Sequence, residues 1–529
     1  MKKLLFVLLM VLFQLSASVA QKDGLKQINK NDIRSYMDFL ASDEMKGRET
    51  SRPENDIAAV YLATTIERLG LKPMPGSESY LQKVPFISRS VMKDSSFISA
   101  STTEGTSVVK TDSIISLIPP STTIEASGEL VFAGYGVKDT TINYNDFNNI
   151  DVAGKIVLIM TRNPKISNDP KYADGYRFSE SIEVPKMMPL FSKRPKAVLL
   201  VYDAKNHFRD PYSSGLADML GGSTSVSLAE RPGMGFPIKL LFITGCTADR
   251  LLSPSGKTLR QLQDMIDSEK KPSSFLVKDL TVSFKYAMRS GKFNGNNVVG
   301  LIEGSDPLLK NECVVYSAHF DHLGVNGKGE VFNGADDNAS GTVGLLEVAD
   351  AFAHLGKKPL RTSVFVWVTG EEKGLLGSQY YVNHPAIAMD KTVLDINLDM
   401  IGRSVSPADT GLIMGVKPDV TAKNEIMVYN DITNAKILQI MNNSASKTGI
   451  TVIDKGKNLG FGGSDHMSFS SKKVPFLFFH SGIHKDLHAI GDDVDKIDYD
   501  KMEKVSKTVF MVGYQVANSK DIVKQEQAK

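Results

Sequence analysis

Apolar runs alternate with amphipathic stretches through the C-terminal half of this 529-residue chain. Short, almost wholly apolar runs predict buried strands at residues 314–318, 363–368, 393–398 and 474–479. Longer stretches with helical spacing predict helices at residues 341–355, 374–382, 435–447 and 501–516. Strands that alternate with helices in this way favour an α/β fold, with a mixed, mainly parallel sheet flanked by helices.

Two further helices are predicted near the N-terminus. Asn31 and Asp32 are residue types that cap a helix, and the apolar spacing continues to about Ser42. A second helix fits residues 55–69, and Gly70 is typical of the position that follows a helix.

The residue composition and hydrophobic pattern change between these helices and the C-terminal half. Residues 93–128 are rich in Ser and Thr and predict short strands and turns. Strand-like runs follow at residues 130–137, 154–160, 197–202 and 239–243, and no polar cluster among them has catalytic spacing. We therefore expect a mostly-β insert at residues 111–280 within a main domain formed by residues 21–110 and 281–519. Residues 520–529 are predicted to be a flexible tail.

The first twenty residues are typical of a secretory signal peptide. Lys2 and Lys3 precede an apolar run at residues 4–15, and small residues end the segment at Ala20. The run is shorter than the ~20 apolar residues that span a bilayer. We expect cleavage after Ala20, a secreted or periplasmic protein, and no membrane span in the mature chain.

Composition and charge exclude some classes of partner. The chain is 42% hydrophobic and 23% charged, and its net charge of +2 falls to zero once Lys2 and Lys3 are removed. A neutral mature chain gives no indication of nucleic acid as a partner. Its two cysteines, Cys246 and Cys313, could form a disulfide, but two buried free thiols are the simpler expectation.

Histidines and carboxylates follow the predicted strands. His319 and Asp321 come after the run at 314–318, Glu371 and Glu372 after 363–368, and Asp399 directly after 393–398. Since parallel strands present their carboxyl ends at one edge of a sheet, we expect these side chains to lie close together. Imidazole nitrogens and carboxylate oxygens are zinc ligands. The pattern therefore indicates a metallohydrolase with a carboxylate left over as general base.

Each cluster alone also has a simpler interpretation. A metal-bound imidazole usually donates its other N–H to a carboxylate, which Asp321 could supply to His319, but the two could equally be a surface pair. Burying Glu371 and Glu372 at the end of a strand costs free energy unless a cation pairs with them. The two residues could instead form a solvated turn.

The remaining clusters also have more than one interpretation. Asp336 and Asp337 precede a predicted helix, where they could cap it or bridge two cations. Asp399 needs a partner, which could be a metal ion or Arg403. Further candidate ligands crowd into one short segment of the chain, at His466, His480, His484 and His488.

Taken together, these segments resemble the secreted di-zinc aminopeptidase family, which also contains glutamate carboxypeptidase. The matching motifs are SAHFDHLG at 317–324, GADDNASG at 334–341, EEKGLLGS at 371–378, NLDMIGR at 397–403, GSDH at 463–466 and the segment 488–498. FLASDEMKGR at 39–48 resembles the first helix and turn of that family, and the insert resembles a protease-associated domain. One such motif alone would be weak evidence for the family, but six of them in the same order along the chain are specific.

The resemblance implies a zinc-exopeptidase fold, of the phosphorylase/hydrolase-like kind, and two Zn²⁺ per chain. Asp337 would bridge the two ions. His319 and Asp399 would complete one site, and Glu372 and His488 the other. A zinc-bound hydroxide would be the nucleophile and Glu371 the general base and acid. A cis peptide between Asp337 and Asn338 is also implied.

One position departs from the family pattern. A tyrosine commonly precedes the last ligand histidine and steadies the tetrahedral intermediate, but here that residue is Leu487. We expect His466 or a zinc ion to stabilise the oxyanion instead. Arg403 is a second candidate for contact with substrate.

The sequence thus predicts a zinc metallo-aminopeptidase that removes N-terminal amino acids from peptides. A carboxypeptidase or dipeptidase on the same scaffold is the first alternative. The second is a catalytically silent, receptor-like binding protein. Such a protein would lack metal ligands, whereas all five implied ligands and the base are present in this chain.

Overall fold

The computed structural model describes residues 21–103, 105–109, 114–115, 122–164, 180–205, 224–231, 239–413, 417–457 and 463–522. The predicted signal peptide lies outside these ranges, as does most of the predicted tail at 520–529. Within the described ranges, no helix has the length and apolar character needed to cross a bilayer.

The chain divides into two compact units. The main unit comprises the residues up to Phe86 and those from Phe293 onward, and the inserted unit is Ile87–Lys292. The chain passes between the two units within two long strands, Leu81–Val91 and Met288–Ile302.

The main unit is built on a mixed sheet. Its strands are β1 (Leu81–Val91), β2 (Met288–Ile302), β3 (Cys313–His319), β4 (Thr362–Val368), β5 (Thr392–Leu398), β6 (Glu425–Asn430), β7 (Thr451–Gly456) and β8 (Phe476–His480). From β1 they lie in the order β1-β2-β4-β3-β5-β8-β6-β7. Strands β4, β3, β5 and β8 are parallel neighbours, whereas β2 and β6 run antiparallel to β4 and β8. The expected mainly parallel sheet is therefore confirmed, and the four strands predicted for it at 314–318, 363–368, 393–398 and 474–479 are found within two residues of their expected bounds.

Helices cover both faces of this sheet. They are α1 (Lys30–Leu40), α2 (Pro53–Arg68), α3 (Gly341–Ala353), α4 (Leu376–Asn383), α5 (Ala435–Thr448), α6 (His466–Ser471) and α7 (Tyr499–Asn518). Residues of α1, α2, α3, α5 and α7 share one apolar core with alternate residues of β3 such as Val314 and Tyr316. The other residues of β3, Cys313 and Val315, pack with residues of α4 and α6. Burial on both faces explains why the central strands are continuous apolar runs.

The start of α1 differs from the expectation. The side chain of Asn29 accepts hydrogen bonds from the backbone N–H groups of Asn31 and Asp32, so Asn29 is the capping residue. The prediction that Asn31 and Asp32 cap this helix was therefore wrong, because Asn29 has the extended backbone of a cap and the next residue is already helical.

The inserted unit has its own sheet. Its strands lie in the order Gly105–Val109, Phe97–Thr102, Phe275–Tyr286, Ile124–Phe132, Ile156–Met160, Ala197–Val201, Leu240–Ile243 and Ile114–Ile115. The strand Thr224–Leu228 and the helices Glu180–Lys193, Gly245–Leu252 and Leu259–Glu269 also belong to this unit.

Both cysteines are free thiols. Cys313 is buried in β3, as expected, but Cys246 is exposed. The prediction of two buried thiols was wrong for Cys246, because the buried face of its helix is formed instead by residues such as Ala248 and Leu251.

Candidate active site

The predicted site residues meet at one edge of the main sheet. His319 is the last residue of β3, Glu371 and Glu372 follow β4, and Asp399 follows β5. These strands are parallel neighbours, so their carboxyl ends lie side by side. The fold therefore brings together strand-end side chains that are up to 80 residues apart in the sequence, from His319 to Asp399.

His319, Asp337 and Asp399 form the first group. The Nε2 atom of His319 lies 3.5 Å from Oδ1 of Asp337 and 3.4 Å from Oδ1 of Asp399. All three side chains are buried, and this group is spaced to hold a metal ion.

His488, Asp337 and Glu372 form the second group. The Nε2 atom of His488 lies 3.1 Å from Oδ2 of Asp337 and 3.3 Å from Oε2 of Glu372. Asp337 thus presents one carboxylate oxygen to each group, as a bridging ligand would.

The donor sets of both groups fit zinc. Ligands of a tetrahedral zinc at its usual bond lengths of about 2.0–2.1 Å lie roughly 3.3 Å apart. The four distances from His319 and His488 to the carboxylates are close to this spacing. In addition, the buried atoms Nε2 of His319 and Oδ1 of Asp399 have no hydrogen-bond partner among the described residues. Buried polar atoms are costly without a partner, and a cation would supply one.

The loop before α3 places Asp337. The peptide between Asp337 and Asn338 is cis, as the resemblance implied. The carboxylate of Asp492 accepts hydrogen bonds from the backbone N–H groups of Asp336 and Asp337, each at 3.0 Å. The Nδ2 group of Asn338 donates to the carbonyl of Leu398, which ties the loop to the end of β5.

The acidic pair before α3 does not cap that helix. The residue before the helix is Ser340, and no side chain makes a capping hydrogen bond there. Asp336 instead accepts hydrogen bonds from Ser340 and from the backbone of Gly402, and it lies 3.3 Å from His484. Of the two open interpretations, the helix cap is therefore wrong.

The surroundings of Asp321 differ from the expectation. The Nδ1 atom of His319 lies 3.2 Å from the carbonyl oxygen of Asp321, whereas the Asp321 carboxylate is 3.8 Å away. That carboxylate accepts hydrogen bonds from the hydroxyl of Thr50 and the backbone N–H of Glu371. Asp321 thus orients His319 through its backbone and fixes Glu371 through its side chain.

Arg403 lies in a buried ion-pair network behind the site. Its guanidinium donates to Asp486 at 2.9 Å and lies 3.6 Å from Asp492. It does not pair with Asp399, which rules out that alternative for the Asp399 partner. A contact between Arg403 and substrate stays a prediction, and the burial of its guanidinium beside two carboxylates does not favour it.

His466 is buried against aromatic side chains of the main unit. Its ring stacks on Phe478 at a centroid distance of 4.4 Å and contacts Phe476 at 4.5 Å. Burial lowers the pKa of His466 to about 3, so the ring is neutral. Both ring nitrogens are buried and make no hydrogen bond to Asp465 or to the backbone. A role in stabilising the oxyanion stays a prediction, and this burial does not favour it.

His322 was missed by the sequence analysis. It is fully buried, and its Nδ1 atom lies 2.7 Å from Oε1 of Glu372 and 3.7 Å from Oδ2 of Asp337. By distance alone it could share a metal ion with these two carboxylates. The only signal in the sequence is its place in the motif at 317–324, three residues after His319.

In the metal-free site, neighbouring carboxylates raise the pKa values of the two candidate ligand histidines. Burial by itself lowers the pKa of His488, but Glu372 and Asp337 raise it to about 11. The pKa of His319 is raised well above its usual value in the same way, chiefly by Asp399 and Glu371. Both histidines therefore carry protons that a metal ion would displace.

The pKa values of the two adjacent glutamates are shifted in opposite directions. Burial raises the pKa of Glu371 well above its usual range, and the charge of Glu372 adds to this effect. Burial acts on Glu372 too, but His488 and a hydrogen bond with His322 hold its pKa well below that range. Glu371 thus has the character of a proton acceptor and donor, and Glu372 that of a permanent anion.

Comparison with known proteins supports the resemblance. The chain is 27% identical over 219 residues to a probable leucine aminopeptidase of Arthroderma otae, a match that covers 40% of this chain and 56% of that protein. It is 31% identical over 189 residues to leupeptin-inactivating enzyme 1 of Streptomyces exfoliatus, which covers 36% of each protein. The chain thus spans only about half the length of the first of these relatives, and less of the second.

The fold has a counterpart among solved structures. An aminopeptidase from Aneurinibacillus sp. strain AM-1 superposes with a TM-score of 0.57 at 19% identity, and the match covers 96% of this chain and 98% of that one. Residues 297–513, which contain every candidate ligand, match the family model of peptidase family M28. Residues 297–513 are therefore the part of this chain that is similar to peptidase family M28.

Proposed function

We propose that this protein is an exported di-zinc aminopeptidase. The observation that carries the proposal is the pair of ligand groups that share Asp337, with one carboxylate oxygen facing His319 and the other facing His488. The first site would be held by His319, Asp337 and Asp399, and the second by Asp337, Glu372 and His488. When bound, the zinc ions would supply Lewis-acid activation of a water molecule and of the scissile carbonyl.

Glu371 is the residue we assign to proton transfer. Its side chain is 14% exposed, and its Oε2 atom lies 4.0 Å from Nε2 of His319. The hydrogen bond from its backbone N–H to Asp321 fixes the turn from which it projects. Glu371 would accept the proton of the attacking water and deliver it to the amine that leaves when the peptide bond breaks.

The charges around the site favour an N-terminal substrate group over a C-terminal one. The carboxylates at or near the two groups belong to Asp337, Glu371, Glu372, Asp399 and Asp465. Zinc would neutralise Asp337, Glu372 and Asp399, so Glu371 and Asp465 are the carboxylates left to attract the ammonium group of a peptide N-terminus. A carboxypeptidase would need a free cation for the C-terminal carboxylate, and Arg403 is held by Asp486 and Asp492. This pairing favours an aminopeptidase over the carboxypeptidase alternative.

The names of the relatives agree with this proposal. One is a probable leucine aminopeptidase, and the solved neighbour is an aminopeptidase. We propose peptides with a free N-terminus as the substrate class of this protein. Export after cleavage at Ala20 and a protease-associated character for the inserted unit belong to the same proposal, and both rest on the sequence.

A substrate panel tests the proposal. Zinc-loaded protein would be incubated with amino-acid anilides, with unblocked peptides, and with the same peptides carrying an acetylated N-terminus. We expect release of N-terminal residues from free-amine substrates and none from acetylated ones. Glu371→Gln is the control for contaminating peptidases. Release of C-terminal residues from acetylated peptides would instead favour the carboxypeptidase, and no hydrolysis of any substrate would favour the binding protein.

A further inference from the structure

We propose that His322 is a positioning residue that donates a hydrogen bond to Glu372 and leaves that carboxylate one oxygen for zinc. This inference rests on the proposed two-zinc function and extends it to a residue outside the five ligands. The Nδ1 atom of His322 lies 2.7 Å from Oε1 of Glu372, while Oε2 of the same carboxylate lies 3.3 Å from His488. The two oxygens of Glu372 therefore have different partners.

The distances separate this role from direct ligation. Two ligands of one tetrahedral zinc lie roughly 3.3 Å apart, as His488 does from Glu372. A separation of 2.7 Å is too short for two such ligands, but it is normal for a charge-assisted N–H···O hydrogen bond. In addition, Nδ1 of His322 lies 3.7 Å from Oδ2 of Asp337, farther than the His488 Nε2 atom at 3.1 Å. His488 thus fits the second site better than His322 does.

The backbone makes room for the His322 ring. Gly334 has φ +58°, and a Cβ atom at this position would lie 2.5 Å from both Cγ and Cδ2 of His322. Only glycine therefore allows the ring to pack against this loop, three residues before Asp337. The ring is fully buried, so it cannot turn toward solvent and lose Glu372.

The consequence is a fixed, singly coordinating carboxylate. With Oε1 held by the Nδ1–H group, Glu372 would present Oε2 alone toward the second zinc. Hydrogen-bonded partners of this kind keep a ligand in one orientation and typically account for about 10–100-fold in metal affinity. Of the two adjacent glutamates, only Glu372 has an imidazole at this distance, so the interaction also helps to distinguish ligand from base.

The test compares two nearly isosteric substitutions. His322→Asn keeps an N–H donor near the position of Nδ1, whereas His322→Leu has similar size and no donor. Zinc affinity of the metal-free protein would be measured by competition with a chromophoric chelator. We expect one of the two zinc ions to bind about 10–100-fold more weakly in His322→Leu, and the Asn variant to stay close to wild type. His354→Asn, which changes an exposed histidine, is the control.

Several outcomes would overturn the inference. Unchanged zinc affinity in His322→Leu would do so, as would an equal loss in the Asn and Leu variants, since that pattern would indicate a ligand or a packing role. If the His322→Leu variant does not fold in the metal-free state, a crystal structure of the zinc-loaded wild type would distinguish a hydrogen-bonding role of His322 from zinc ligation. A zinc ion bonded to Nδ1 of His322 contradicts the inference, and an Nδ1–H···Oε1 hydrogen bond supports it. Failure of the wild type to bind two zinc ions would instead contradict the proposed function.

Discussion

Glu371 and Glu372 are consecutive in the chain, yet their carboxylates face different partners. Oε2 of Glu371 lies 4.0 Å from Nε2 of His319, whereas the Glu372 carboxylate lies between His322 and His488 at 2.7 and 3.3 Å. Burial raises the pKa of Glu371, while the two histidines hold that of Glu372 well below its usual range. The same residue type thus has two different chemical characters at adjacent positions.

The first prediction separates the tasks of this pair. Glu371→Gln should abolish hydrolysis, because an amide cannot accept the proton, and should leave two zinc ions bound. Glu372→Gln should weaken zinc binding itself, because the amide lacks the ligand charge. Zinc content after dialysis and turnover on an amino-acid anilide measure the two effects. Equal loss of zinc in both variants would refute the assignment.

The second prediction concerns Asp492. Its carboxylate accepts two backbone hydrogen bonds from the loop that carries Asp337, so removing its charge should loosen that loop. We expect Asp492→Asn to lower the free energy of unfolding by about 1–3 kcal/mol, the cost of impaired buried hydrogen bonds. Urea unfolding of the metal-free protein measures this. The neighbouring Asp493→Asn, which changes a half-buried carboxylate, is the matched control and should cost less.

Much of the site could be predicted because it depends on strand ends. His319, Glu371 and Asp399 each follow an apolar run, and runs that alternate with helices predict a parallel sheet with one functional edge. The residues that were missed act through contacts between distant segments. Asp492 binds a loop 155 residues earlier in the chain, and His322 meets Glu372 across 50 residues. Nothing in the local pattern of either residue indicates its partner.

The errors have the same origin. Arg403 is near Asp399 in sequence, but it pairs with Asp486, 83 residues later. Local sequence likewise favoured Asp321 as the side-chain partner of His319, whereas the fold places its carboxylate against Thr50 and Glu371. Pairing of charges in the interior is decided by the three-dimensional neighbours, which the spacing of residues in one segment does not specify.

The third prediction separates backbone strain from packing at Gly334. Gly334→Ala forces a side chain into a left-handed conformation, against both the His322 ring and the backbone oxygen of Asp337. Gly329→Ala also places a side chain at positive φ, +83°, but no atom lies within 4 Å of the new Cβ. We expect Gly329→Ala to cost about 1–2 kcal/mol and Gly334→Ala about 1–3 kcal/mol more, by urea unfolding. Equal costs would show that the His322 ring and the Asp337 carbonyl both move aside freely.

The fourth prediction uses the one tryptophan of the chain as a reporter of metal removal. Trp367 is fully buried in β4, and its indole N–H donates to the carbonyl of Thr342 in α3. Its emission therefore follows unfolding of the main unit and not of the inserted unit. A ligand at 1,000 times its dissociation constant stabilises the native state by about 4 kcal/mol. We expect EDTA to lower the urea midpoint of the Trp367 signal, and an unchanged midpoint would argue against metal bound in this unit.

The last prediction follows from the protonation of His488. In the metal-free protein its pKa is about 11, against about 6.5 for an ordinary histidine. Because the folded pKa is raised, the proton stabilises the fold fully below pH ~6.5, and this stabilisation is lost as pH rises through about 11. At pH 8 His488 is therefore protonated before zinc binds. A zinc ligand must be neutral imidazole, so loading should release this proton. Calorimetric titration in two buffers of different ionisation enthalpy counts the protons released per zinc. We expect His488→Asn to release about one proton fewer than the wild type at saturation. If both proteins release the same number at pH 8, His488 is either neutral in the metal-free site or not a ligand.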